Sequence, residues 1–296
     1  MNDATPRQYR GSLVERAAAF YDLEPAAVRA EPVAPGRDPI PDSPAYPAAW
    51  PLDPTTVTID RSALAERGLI VPGAAVTPLA EEFRLVKRQL LLTARSIAGD
   101  MARTILVCSP RENDGKTFCA VNLALSMAAE KDVEILLVDA DLAKPDVLAS
   151  LGVEANGPGL LDAIADTSLD VEACIVATDV PQLKLLPAGA KSHSDTELLG
   201  SERARAVLHR LATANRRRIV IFDSPPALAA SPAAVLAAAV GQVMMVVRAD
   251  ITSEGDLRDA VALLDGCEHV QLILNSVAFQ PGGRRFGSYY SQELQT

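Results

Sequence analysis

Ile105-Leu-Val-Cys-Ser-Pro-Arg-Glu-Asn-Asp-Gly-Lys-Thr117 is the stretch that decides the fold. Its first four residues form a short apolar run, its middle is polar, and the residues after Thr117 continue with the apolar spacing of a helix. A strand that empties through a loop ending in Gly-Lys-Thr into a helix is the context a P-loop requires. In such a loop, backbone N–H groups and the helix N-terminus surround the phosphates of ATP, the lysine neutralises the β and γ oxygens, and the hydroxyl ligates Mg²⁺. This reading assigns Asp114, Gly115, Lys116, Thr117 and Phe118 to the nucleotide, with Thr117 also on the metal. Pro110 stands where the first glycine of the pattern is usual.

Two further strands point at the same chemistry. Ile135-Leu-Leu-Val-Asp-Ala-Asp ends in Asp139 and Asp141, and Arg218-Ile-Val-Ile-Phe-Asp delivers Asp223. In a parallel sheet these acids fall at the carboxyl edge, where open α/β folds collect ligands. Asp139 and Asp141 can hold a metal there, and Asp223 is expected beside Thr117 and Mg²⁺. Asn275, just past the apolar run Leu272-Ile-Leu, is placed either against the adenine ring or in an ordinary turn.

Outward from the loop, the spacing predicts strands at 104–108, 134–138, 183–187, 218–222, 242–247 and 271–275. Helices are predicted at 117–129, 201–214, 233–239 and 253–264. Strands alternating with helices imply an α/β three-layer sandwich with a mostly parallel central sheet. Upstream, residues 79–92 form an amphipathic, strongly charged helix. Residues 12–30 hold a shorter helical pattern, and prolines recurring through 31–54 read as an extended linker. The expected organisation is an N-terminal helix and linker over 1–56, largely disordered, a P-loop domain over 57–278, and a mobile tail over 279–296. That tail carries Tyr289 and Tyr290, which read either as phosphoacceptors or as part of a frayed terminus.

Composition excludes several classes. With 296 residues, 49% of them apolar, the chain fills a core, and its net charge of −10 argues against nucleic-acid binding. Its four cysteines form no C-x-x-C pair, which leaves no zinc site. No apolar run approaches the roughly 20 residues that span a bilayer, so a cytoplasmic location is expected. Arg216-Arg-Arg218 is read as a solvated helix cap rather than a phosphate patch.

Together these residues resemble the bacterial tyrosine kinase family, a branch of the deviant Walker P-loop ATPases. The resemblance is carried by SPRENDGKTFCAVNLAL, LLVDADLAKPDV, IVIFDSPPAL and the tyrosine-bearing tail, and covers about residues 60–290. AERGLIVPG, LAEEFRLVKRQLL and LLPAG with TELLGSERA are similar to the exosortase-associated exopolysaccharide autokinases. The resemblance implies ATP- and Mg²⁺-dependent phosphorylation of tail tyrosines Tyr289 and Tyr290 by an adjacent subunit, with Lys116, Asp139 and Asp141 catalytic, Asp139 handling the tyrosine hydroxyl proton, and Asp141 and Asp223 organising the Mg²⁺ shell with Thr117. It also implies regulation of exopolysaccharide export and a homo-oligomer, ring or dimer. A separate transmembrane polysaccharide co-polymerase would activate the chain and hold it peripherally at the inner membrane. Glu81, Arg84 and Lys87 match the family's E-x-x-R-x-x-R subunit contact, with lysine third. Two rivals stand beside it. A partitioning-type ATPase would need a second lysine, and residues 109–114 hold none. A non-catalytic, nucleotide-binding scaffold is the other.

Overall fold

The computed structural model describes residues 56–190, 195–229 and 231–277, all within the unit Ala49–Thr296. The helix expected at 12–30, the linker at 31–54 and the tail with Tyr289 and Tyr290 lie outside the described residues.

A seven-stranded sheet forms the middle layer: β1 (Thr104–Cys108), β2 (Glu134–Asp139), β3 (Val176–Ala177), β4 (Leu183–Leu186), β5 (Arg218–Asp223), β6 (Gln242–Arg248) and β7 (Val270–Asn275), in the order β3-β4-β2-β5-β1-β6-β7. Every pairing is parallel except β3 with β4. β1, β2, β5 and most of β6 are buried on both faces, which is why they read as unbroken apolar runs.

One face is covered by α1 (Arg61–Glu66), α2 (Pro78–Ser96), α3 (Lys116–Met127) and α4 (Val147–Ser150); Leu64, Phe83, Leu123 and Val147 pack there against Ile105, Val107 and Leu137. The other carries α5 (Leu160–Ala165), α6 (Asp195–Leu199), α7 (Glu202–Thr213), α8 (Pro232–Ala237) and α9 (Glu254–Leu263), and there Leu161, Leu208 and Leu236 meet Leu106, Cys108 and Val138. The two-residue alternation along β1 and β2 thus feeds two separate cores. The observed bounds lie within two residues of those expected for the six long strands. The short pieces α1, α4, α5, α6 and the two-residue β3 were not expected, since none is long enough to show a period.

Most long helices start at a side-chain cap: Thr77 before α2, Ser201 before α7, and a reciprocal Ser253/Asp256 box before α9. α3 has none. Its N-terminal residue is Gly115 in the left-handed region at φ 97°, with no side-chain hydrogen bond to the first turn. Its leading N–H groups are left for a ligand.

Arg218 is not the solvated cap expected from sequence. Its side chain is 3% exposed and pairs with Glu134 at 2.6 Å and, through two nitrogens, with Glu172. Glu134 also meets Lys184 at 2.7 Å, so the cluster ties β5 to β2, β4 and the turn Val171–Cys174. Burial alone would raise the Glu134 carboxyl, but the bonds from Lys184 and Arg218 outweigh it and hold the group below its usual range. Arg218→Ala leaves Glu172 without its counter-ion and Glu134 with Lys184 alone. It is expected to cost about 3 kcal/mol, read as a lower midpoint in urea unfolding at unchanged slope.

Candidate functional site

β1 delivers the loop from its carboxyl end at the point where the sheet order reverses, between β5 and β6. The loop is pinned from inside by Asp114, whose Oδ2 accepts from the Arg111 N–H at 3.0 Å and which is 1% exposed. It is pinned from outside by Arg248, donating to the Asn113 carbonyl at 3.0 Å, and by Arg111 paired with Asp256 at 3.1 Å. The left-handed positions of the loop are Asn113 and Gly115, so position 110 makes no demand for glycine. Pro110 contributes only its carbonyl, which accepts from Leu228 N–H, and its missing donor costs nothing.

The loop and the start of α3 open on a cavity of about 330 Å³ lined by Gly115, Lys116, Thr117, Phe118, Asp141 and Lys144, among others. Lys116 Nζ lies 2.7 Å from Asp141 Oδ2, and Thr117 Oγ1 donates to Asp223 Oδ2 at 2.6 Å. Burial alone would lower the Lys116 ammonium, but Asp223, Asp141 and Asp139 outweigh it and hold it above its ordinary value. It stays a cation, as a phosphate-binding group must.

Asp139 and Asp223 behave differently. Both are almost wholly buried, and burial pushes each carboxyl up to about 7. Each spends one oxygen, Asp139 on the Val147 N–H at 3.0 Å and Asp223 on Thr117. Their Oδ1 atoms have no hydrogen-bond partner among the described residues. A buried carboxylate oxygen without a donor is the environment a cation relieves. Thr117 and Asp223 therefore fit Mg²⁺, which takes few protein ligands and completes its shell with phosphates and water. Among the described residues no three acidic, His or Cys groups form a self-sufficient metal cage.

Several expected roles shift. Asp141, expected on the metal, pairs with Lys116 through Oδ2 and accepts from the Lys144 N–H through Oδ1 at 3.1 Å. Asn275, read either at the adenine ring or in an ordinary turn, donates its amide to the Asp114 carbonyl at 2.9 Å and braces the loop. Asp114 likewise shapes the loop rather than lining the cavity. Asp139, beside Asp223 in the sheet register and near enough to act on the Lys116 charge, lines a second cavity of about 640 Å³ together with Pro145, Leu148 and Pro187. Lys87 is only 12% exposed and bonds the Ser126 carbonyl and Glu130 of its own chain. Arg84 is exposed and Glu81 half-buried, and the two pair with each other along α2. Lys144, a second cation in the cavity, was not singled out from sequence; its only signal was its place three residues after Asp141.

Gly115 is the tightest point of the site. A Cβ there would lie 2.1 Å from Asn275 Nδ2, in a backbone region that side chains avoid. Gly115→Ala is expected to weaken Mg·ATP binding about tenfold or more by calorimetry, with about 1–2 kcal/mol lost from the fold. Adding Asn275→Ala relieves the clash but not the dihedral, so the double variant should recover only part.

Comparisons with known proteins agree with this geometry. The AAA domain family model matches residues 102–273. Tyrosine-protein kinase Wzc of Salmonella typhi is 30% identical over 62% of this chain, which spans 25% of that relative's length. Tyrosine-protein kinase YwqD of Bacillus subtilis (strain 168) is 26% identical over 71% of this chain and 85% of its own. Among solved structures, the kinase domain of VpsO is 28% identical, with a TM-score of 0.58 over 67% of this chain and 94% of that one. The chain belongs to the AAA domain family and is similar to bacterial tyrosine-protein kinases.

Proposed function

We propose that this chain is an ATP-dependent protein-tyrosine kinase that phosphorylates Tyr289 and Tyr290 of a neighbouring copy. The observation that carries the reading is the pairing of a phosphate-ready site with a buried acid next to it. The uncapped start of α3, Lys116 and Thr117 line one cavity, and Asp139 opens on the next. Thr117 and Asp223 would hold Mg²⁺, which would offset the charge of the phosphates. The tyrosine oxygen attacks the γ phosphorus, the bond to the β–γ bridging oxygen breaks, and ADP leaves. The phenol proton passes to Asp139, whose free Oδ1 and raised proton affinity suit a base near neutrality. Lys116, steered by Asp141, stabilises charge on the transferred group.

Glu81 and Arg84 on α2 support a homo-oligomer that brings one copy's tail to another's site. Similarity to the tyrosine-protein kinases Wzc and YwqD supports the kinase activity, and the resemblance of AERGLIVPG, LAEEFRLVKRQLL and TELLGSERA to exopolysaccharide autokinases supports a role in exopolysaccharide biosynthesis and export, with a transmembrane co-polymerase partner holding the chain at the inner membrane. Among the described residues no helix is long and apolar enough to cross a membrane. Incubation with Mg·ATP followed by mass-spectrometric phosphosite mapping is the test. Phosphate on Tyr289 or Tyr290 is expected. No phosphotyrosine, even with a candidate co-polymerase partner added, would leave a nucleotide-binding scaffold instead.

A further inference from the structure

At the sheet edge opposite the P-loop, where β1, β5 and β6 begin, the surface opens into a cavity of about 460 Å³ beside the second half of α2. Its floor is apolar. Leu90 from α2, Ile105 from β1 and Ile219 from β5 are 1–5% exposed. Gln242, also on the floor, has its amide engaged, Nε2 donating to the Leu90 carbonyl at 3.1 Å and Oε1 accepting from Gln271 at 2.9 Å.

The rim has the opposite character. Arg95, Arg103, Arg216 and Arg217 surround the mouth against one carboxylate, Asp132. Arg103 commits only Nε, to the Arg218 carbonyl at 3.1 Å, and the guanidinium groups of Arg95, Arg216 and Arg217 meet no acceptor among the described residues. Elsewhere Arg61, Arg84, Arg111, Arg210 and Arg258 each sit in an ion pair. In a chain of net charge −10, four arginines to one acid around one concavity invert the local sign. Guanidinium forks match phosphate oxygens, and the cavity's volume lies in the range of small-ligand sites.

The geometry points to a site for an amphiphilic organic phosphate. Its apolar body lies on Leu90, Ile105 and Ile219, and its headgroup takes the donors of Arg95, Arg216 and Arg217. The site is separate from the nucleotide cavity and does not depend on the kinase reading. Calorimetric titration of the full chain with octyl phosphate tests it, with inorganic phosphate and octyl glucoside supplying the head and the tail alone. Octyl phosphate is expected to bind more tightly than either, saturating Mg·ATP should leave its affinity unchanged, and Arg216→Ala/Arg217→Ala should weaken it by about tenfold or more. Both arginines are exposed, so the fold should persist, and Arg95→Ala repeats the test from α2. Co-sedimentation with phosphatidylcholine vesicles, with and without phosphatidic acid, separates the sources. Arginine-dependent binding to the acidic vesicles assigns a lipid, and binding of octyl phosphate alone assigns a free metabolite. Absence of octyl phosphate binding, equal binding by the double variant, displacement by Mg·ATP, or affinity no better than that of inorganic phosphate or octyl glucoside would overturn the proposal.

Discussion

Lys116→Met is expected to lower phosphotyrosine formation by about 10²–10³-fold or more, the loss seen when a single group aimed at developing charge is removed. The residue is held for that task from two sides. Asp141 fixes Nζ at 2.7 Å, and Asp223 and Asp139 add to the field that keeps the ammonium charged. Methionine is close in length and supplies no cation, so phosphates entering the cavity would meet the acids with only Lys144 to offset them. The loss should fall on turnover more than on folding, because the buried acids take up protons when their counter-ion leaves. Thermal unfolding of the variant alongside its rate separates the two: a folded protein with a lost rate is the expected pair.

Without nucleotide or Mg²⁺, stability should fall as pH rises from about 5 to 7.5. The folded protein holds Asp139 and Asp223 at about 7, above the carboxylate value of an unfolded chain. Between those values the folded state binds more protons than the unfolded one, so stability falls with rising pH. The stabilisation is fully present below the unfolded value and is lost as pH passes 7. Together the two groups should contribute a few kcal/mol, several degrees in Tm. Mg²⁺ with a non-hydrolysable ATP analogue should flatten the profile, since a cation beside Asp223 replaces the proton. A profile that rises through the same window, or one that Mg²⁺ and the analogue leave unchanged, would contradict the charge arrangement.

Much of this was legible in the sequence because it is local. Strand, loop and helix around residues 104–127 are set by apolar spacing and one left-handed glycine, and the buried strands announce themselves as apolar runs. The places of Lys116 and Thr117 at the start of α3, and of Asp139 and Asp223 at the ends of β2 and β5, followed from those runs. What escaped depends on contacts distant in the chain. Nothing near Asn275 shows that its amide reaches Asp114, and nothing near Arg218 shows Glu134 and Glu172 closing on it. Lys87 sits at the right spacing for a subunit contact, yet Ser126 and Glu130 claim it, because spacing along a helix does not say what the facing helix offers. Asp139 and Asp141, two residues apart, part company because the chain leaves the sheet between them, and no pattern of residue types records that turn.

The most direct measurement separates the copy that gives phosphate from the copy that receives it. One chain keeps its P-loop and carries Tyr289→Phe and Tyr290→Phe, while the other keeps both tyrosines and carries Lys116→Met. Each is incubated alone with Mg·ATP and a candidate transmembrane activator, then mixed, and phosphotyrosine is mapped by mass spectrometry. The account predicts no label on either chain alone and, in the mixture, label at Tyr289 or Tyr290 of the Lys116→Met chain. A mixture without label, while the wild type labels under the same conditions, would contradict transfer between copies; equal labelling of the Lys116→Met chain alone would contradict the P-loop assignment itself.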